Sequence, residues 1–69
     1  MANINKLVGQ NIKKYRIKRG WKQSTLASES GLHRAYIGQI ERGEKNIGLI
    51  NIKKISDTLG ITLARLLKL

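Results

Sequence analysis

Apolar residues recur along this chain at helical spacing, and no long apolar–polar alternation of the strand type is present. Ile4, Val8, Ile12 and Tyr15 follow four- and three-residue steps and form one stripe of a first helix, about Ile4 to Arg19. Lys6, Lys13 and Lys14 lie off that stripe, and Ile17 falls on the wrong face. Gly20 ends the helix and Trp21 follows as a core plug. A short second helix is predicted from Gln23 to about Ser30, with Leu26 and Ala27 inward; Gly31 breaks it and Leu32 re-enters the core. A third runs from about His33 to Arg42 with Ile37 and Ile40 inward, and Gly43 stops it. A fourth covers roughly Leu49 to Leu59, its stripe made of Leu49, Ile52, Ile55 and Leu59, with Gly60 as C-cap. Thr62 is the expected N-cap of a last helix from Leu63 to about Leu67, within 62–69. Gly20, Gly31, Gly43 and Gly60 thus stand one per helix end, the usual place for a positive φ. The expectation is an all-α chain, five helices and no sheet.

Size narrows this further. The 69 residues make a single domain, 1–69. A chain this short hides only roughly 60% of its unfolded surface, so its core must be compact. With no cysteine there is no disulfide scaffold and no cysteine-based zinc site. The 41% hydrophobic content is enough for a globule and too high for a disordered tail.

Charge points to a partner. Fourteen Lys/Arg against four Asp/Glu give a net charge of +10. Such an excess repels itself and calls for a polyanion: nucleic acid first, an anionic membrane second. No apolar run approaches the ~20 residues of a membrane span. The N-terminal MANINKLVGQ lacks the charged-then-apolar order of a signal peptide, so a cytoplasmic location without membrane attachment is expected. A membrane-active cationic peptide would need long amphipathic helices, which the glycine punctuation interrupts. An RNA-binding domain would favour exposed aromatics for stacking, whereas this chain has one Trp, two Tyr and no Phe.

Enzyme chemistry is poorly stocked. His33 is the only histidine, and Glu29, Glu41, Glu44 and Asp57 are the only acids, too few for a converging metal site. There is no glycine-rich phosphate loop. Ser56, His33 and Asp57 could be assembled into a trio on paper, but nothing in their spacing meets a geometric test. No enzyme activity, cofactor or metal is expected.

The segment 23–42, QSTLASESGLHRAYIGQIER, has what two short, closely crossing helices need. Ala27 is small where they meet, Gly31 can take the positive φ of the turn, and Leu26, Leu32, Ile37 and Ile40 are apolar where the pair rests on a core. This is helix-turn-helix geometry, in which the second helix enters the DNA major groove. With Ile37 and Ile40 inward, a step of ~100° per residue turns Ala35, Gly38, Gln39 and Arg42 outward. Arg34 lies at the edge of that face. Arg34 can read guanine O6/N7 in a bidentate manner, Gln39 suits adenine N6/N7, and Ala35 can meet a thymine methyl. Lys22, Gln23, Arg42, Lys45 and Asn46 surround the third helix and are candidates for phosphate contacts. Tyr36 flanks the inward face, where it either packs or reaches the sugar–phosphate backbone. Lys13, Lys14, Lys18 and Arg19 are read as general positive field. Glu41, a carboxylate on a helix that otherwise wants positive charge, is explained by an ion pair with Arg16.

V-G-Q-N-I-K-K-Y-R (8–16), G-W-K-Q-S-T-L-A (20–27), S-G-L-H-R-A-Y-I-G-Q-I-E-R-G (30–43) and L-G-I-T-L-A-R-L-L (59–67) together resemble the repressor/Cro-type (Xre-like) helix-turn-helix family over nearly the whole chain. The run from Arg34 to Ile52 is also similar to the small controller proteins of restriction–modification systems. The resemblance implies a lambda-repressor-like five-helix fold and base contacts at Arg34, Ala35 and Gln39. It also implies an Arg16–Glu41 bridge and no catalysis. Three positions depart from the family pattern. Lys22 stands where a capping Ser or Thr is usual, Ile47 where Pro is frequent, and His33 where a small cap is usual. His33 therefore caps, contacts DNA, or does neither.

Specific affinity normally needs two recognition helices about one helical turn apart. The C-terminal part supplies the expected homodimer face. Leu63 and Leu66 are assigned to the core, and Ile50, Ile61, Leu67 and Leu69 to a partner subunit. The expected function is a transcriptional regulator, repressor or activator, that binds an inverted-repeat operator in double-stranded DNA as a homodimer in a bacterial or phage cytoplasm. Activation would need a patch touching RNA polymerase, for which Glu29 and Glu44 are the candidates. The alternative is a phage-type repressor or an antitoxin-like protein-interaction module of the same fold.

Overall fold

The computed structural model describes residues 3–68. Five helices follow one another: α1 Ile4–Lys18, α2 Gln23–Ser30, α3 Arg34–Glu41, α4 Leu49–Leu59 and α5 Leu63–Leu66. There is no strand among the described residues. The expected third helix loses a residue at each end: His33 is its N-cap and Arg42 its C-cap. The closing helix, expected within 62–69, is a single turn that ends at Leu66. Leu69 lies outside the described residues.

The helix ends follow from local chemistry. The Asn3 side chain accepts from the backbone N–H of Asn5 and Lys6 at 3.0 and 3.3 Å, an N-cap of the kind that contributes ~1 kcal/mol. Thr62 caps α5 by accepting from Arg65 N–H at 3.1 Å. Gly31 turns the chain out of α2 at φ +75°, and Leu32 N–H then reaches back to the Ala27 carbonyl at 3.1 Å. A side chain at 31 would be strained there by its own backbone, which is why the tight turn between α2 and α3 carries glycine.

The core consists of Val8, Ile12, Leu26, Ala27, Ile37, Ile40, Ile52, Ile55, Leu59 and Leu66. Tyr15, Trp21, Leu32 and Leu63, also expected inward, pack against it partly buried, and two expected core positions lie outside it. Ile4 is 58% exposed at the start of α1, two residues before Lys6, where Gly43 just past α3 meets that helix. Leu49 is 78% exposed; Ser56 completes the buried stripe of α4 in its place, its hydroxyl satisfied by the Lys53 carbonyl at 2.9 Å. Trp21 is half-buried against the core, and the Arg19 guanidinium lies 4.3 Å from its ring centre.

Gly9 sets how α3 sits. It is buried in the middle of α1, and a Cβ there would overlap the backbone carbonyls of Ile40 and Glu41. The two helices therefore cross with their backbones in contact. Polar side chains tie the remaining elements to this pair. Asn11 donates both amide hydrogens, to the Leu66 carbonyl at 3.0 Å and the Lys68 carbonyl at 2.8 Å. Arg19 donates to the Leu59 carbonyl at 3.0 Å.

Candidate nucleic-acid interface

α2 and α3 present one polar surface, with α3 as its ridge. Ile37 and Ile40 anchor α3 to the core at 0% and 1% exposure, which fixes the opposite face outward. Arg34 and Ala35 are exposed on its first turn, and Gln39 is half-exposed one turn on. Gly38 was expected outward with them, but it is buried: the side chains of Arg42 and Gln23 lie across it. Gly38 therefore floors a shallow concavity whose walls are Gln23, His33, Arg34, Ala35, Gln39 and Arg42. Two guanidinium groups, two amides and an imidazole converge on this hollow without any carboxylate on its walls.

A buried network supports the surface from behind. Arg16 donates from Nε to Glu41 Oε2 at 2.7 Å and from Nη2 to Oε1 at 3.0 Å, and a third donor, Nη1, reaches the Trp21 carbonyl at 2.8 Å. Gln23 Nε2 donates to the same Glu41 Oε1 at 3.1 Å. Because a carboxylate only accepts, this bond fixes which way the Gln23 amide points, with Oε1 towards Gly38. One acid thus joins the end of α1, the start of α2 and the end of α3.

The remaining predicted contact residues have identifiable environments. His33 accepts at Nδ1 from Ala35 N–H at 3.1 Å and is exposed, so of the three readings left open for it the cap is the one realised in the free protein. With Nδ1 accepting, the neutral ring carries its proton on Nε2, available as an outward donor. Lys22 is exposed and makes no side-chain cap, which leaves the first N–H groups of α2 open. Tyr36 packs on the core, and its hydroxyl accepts from Asn51 Nδ2 at 3.0 Å. Arg42 is paired: Nε donates to Glu44 Oε2 at 2.7 Å and Nη2 to Oε1 at 3.3 Å. That hydrogen bond lowers the Glu44 carboxyl from its ordinary range and raises the Arg42 guanidinium. Lys45 and Asn46 are exposed in the loop after α3, and Ile47 folds back onto the core.

A second, apolar groove lies between α4 and α5. Leu49, Ile50 and Leu63 line it, with Lys53, Lys54 and Asp57 at its sides. Ile50 is 75% exposed and Leu67 37%, whereas Ile61 is half-buried against the core. Adjacent exposed apolar residues opening onto one groove form a patch, unlike scattered surface leucines.

Sequence reasoning missed several residues that position this surface. Gly9 gave a usable signal, since a glycine in mid-helix costs ~1 kcal/mol relative to alanine and asks for a close approach as its reason. Asn11, Asn51 and the second role of Arg19 carried none, because a polar side chain beside an apolar stripe looks solvated until its partner's position is known.

Residues 12–66 match the Helix-turn-helix family (HTH_3). The control protein C.BamHI of Bacillus amyloliquefaciens is 48% identical over 60 residues, covering 86% of this chain and 74% of that protein. The control protein C.MunI of a Mycoplasma species is 40% identical over 67 residues, covering 96% and 90%. The crystal structure of the restriction–modification controller protein C.AhdI from Aeromonas hydrophila superposes with a TM-score of 0.88 at 40% identity, over 90% of this chain and 94% of that one. The biofilm master regulator SinR, solved in complex with DNA, superposes with a TM-score of 0.84 at 34% identity, over 88% and 98%. With its five helices in this arrangement, the chain belongs to the helix-turn-helix family of Xre-like regulators.

Proposed function

We propose that this chain is a sequence-specific regulator of transcription that binds an inverted repeat in double-stranded DNA as a homodimer, in the manner of a restriction–modification controller protein. The observation that carries the reading is the outer face of α3. Arg34, Ala35 and Gln39 stand together on it, opposite a face pinned by Ile37 and Ile40. Base edges are read by Arg34, Gln39 and Ala35 through the donor and acceptor pattern of the major groove. Lys22, Gln23, His33, Tyr36, Arg42, Lys45 and Asn46 hold the flanking backbone. Two of these act indirectly: Gln23 offers its backbone N–H while its amide stays on Glu41, and Tyr36 must share its hydroxyl with Asn51. The kinship with C.BamHI, C.MunI and C.AhdI supports the controller role, and SinR, solved with DNA, supports the docking mode.

The dimer is assigned to the α4–α5 groove, with Ile50 and Leu67 as exposed anchors and Ile61 at the margin; Leu69, the fourth expected contact, lies outside the described residues. Leu49 joins this face although its sequence pattern put it in the core. The reading gives the chain no catalysis: the Ser56 hydroxyl is spent on a backbone carbonyl and His33 is spent as a cap. It works in the cytoplasm, and any contact with RNA polymerase falls to the exposed Glu29, since Glu44 is committed to Arg42.

Selection of bound duplexes from a random pool, with sedimentation of the free protein, tests both halves. The expected result is a symmetric motif and a dimer. No sequence preference in moderate salt would remove the function, and a monomer at all concentrations would remove the operator symmetry.

A further inference from the structure

The Arg42–Glu44 pair sits at the edge of the DNA-facing concavity and has no part in the fold. Both side chains are more than half exposed, at 58% and 53%, where an ion pair contributes almost nothing to stability. Yet the pair has a defined geometry. Glu44 takes the Nε edge of the guanidinium through two hydrogen bonds. The remaining terminal nitrogen, Nη1, lies across Gly38, 3.1 Å from where a Cβ at that position would stand. The guanidinium is thus laid back along α3 with one edge closed and the other directed into the hollow. Among the described residues, Glu44 is the only carboxylate paired with a cation that borders the concavity; Glu41 is buried and paired with Arg16, and Asp57 pairs with Lys53 on α4.

Resting on the DNA-binding reading above, we infer that Glu44 is a specificity-setting residue: it weakens the contact of Arg42 with the phosphates of arbitrary duplexes and leaves its Nη1 edge for the backbone of the cognate site. A free arginine at a helix end adds one sequence-independent phosphate contact and releases its counterion. An arginine already neutralised by Glu44 does so only after the pair is broken, unless register brings a phosphate directly to Nη1. The penalty falls mainly on non-cognate DNA, where phosphate attraction supplies essentially all of the affinity. On cognate DNA the base contacts of α3 bring the chain into register, and Nη1 is usable without breaking the pair. Sequence preference therefore rises through weaker binding to everything else.

The test compares the full chain with Glu44→Gln, using Glu29→Gln as a control that removes an equal charge from an exposed position on α2 away from Arg42. Binding is measured over a salt series on the duplex selected from a random pool and on one of arbitrary sequence. Glu44→Gln is expected to tighten binding to the arbitrary duplex about three- to tenfold at low salt and to steepen its log–log salt slope by up to about one. It should change selected-duplex affinity less, so the preference ratio drops. Glu29→Gln should have a markedly smaller effect, and in an Arg42→Ala background Glu44→Gln should have no more effect than Glu29→Gln. Equal effects of Glu44→Gln and Glu29→Gln, or an undiminished effect without Arg42, would overturn the role of Glu44 and leave the DNA-binding reading standing. If the unmodified protein prefers no duplex, that reading fails and takes the role of Glu44 with it.

Discussion

Glycines at 9 and 38 illustrate how one residue type can serve opposite ends. At Gly9 the space for a Cβ is taken by backbone, with the Glu41 carbonyl oxygen at 2.8 Å, and backbone cannot step aside. Gly9→Ala is expected to destabilise the fold by about 1–3 kcal/mol despite its better helix propensity, as read from a urea midpoint. At Gly38 the nearest atom is the far end of the flexible Arg42 side chain. Gly38→Ala should fold at least as well, with a gain of up to ~1 kcal/mol from propensity, yet bind its operator more weakly because Arg42 is displaced. A stability gain accompanied by unchanged affinity would show that the hollow is not used. Arg34 belongs to the same scale. Arg34→Ala should cost ~1–3 kcal/mol at one base position and relax preference there, whereas Lys45→Ala should weaken all duplexes alike and flatten the salt slope. If Arg34→Ala lost affinity equally on every sequence, its base-reading role would be wrong.

The Arg16–Glu41–Gln23 network holds three helices in one geometry. Removing one partner leaves the other charged and buried, so Arg16→Ala or Glu41→Ala alone should cost about 3–5 kcal/mol. The double substitution should cost less than the sum, and a cycle showing no coupling would retire the network as the device that orients α3 against α1. Much at this scale was readable beforehand. Helical periodicity located all five helices, and glycine punctuation located the C-terminal ends of the first four: Gly20, Gly31, Gly43 and Gly60 all have φ between +71° and +75°. What periodicity could not supply was the edge of each contact. Ile4 and Leu49 obey the spacing of their stripes, yet each is the first residue of its helix and stands exposed there. The candidate site was half legible. Arg34, Ala35 and Gln39 followed from the angle each makes with Ile37 and Ile40. The pairing of Arg42 with Glu44 and of Tyr36 with Asn51 depends on rotamers and on contacts across a turn or between helices, and spacing is silent on both.

At the scale of the whole molecule, the cationic hollow and the apolar groove are separate. The hollow belongs to α2 and α3, and the groove, lined by Leu49, Ile50 and Leu63, belongs to α4 and α5. A two-fold axis through the apolar groove would make the dimer contact isologous, with the same patch serving both subunits. Replacing Ile50 with Lys should leave the fold intact, since the side chain is already 75% exposed, and shift sedimentation from dimer to monomer. Operator affinity should fall steeply with it, while binding to a single half-site stays unchanged.

Asn11 gives this separation a mechanical aspect. Its amide grips the carbonyls of Leu66 and Lys68, and the helix that carries it leans through Gly9 on the end of α3. A single rod therefore bears α3 at Gly9 and the latch of the closing turn two residues on, at Asn11. Loosening that latch, as Asn11→Ala would, frees the final turn to fray without altering any group that faces a duplex. Weakened self-association with the half-site grip preserved would be its signature, and would mark α1 as the spine through which assembly and recognition are kept in register.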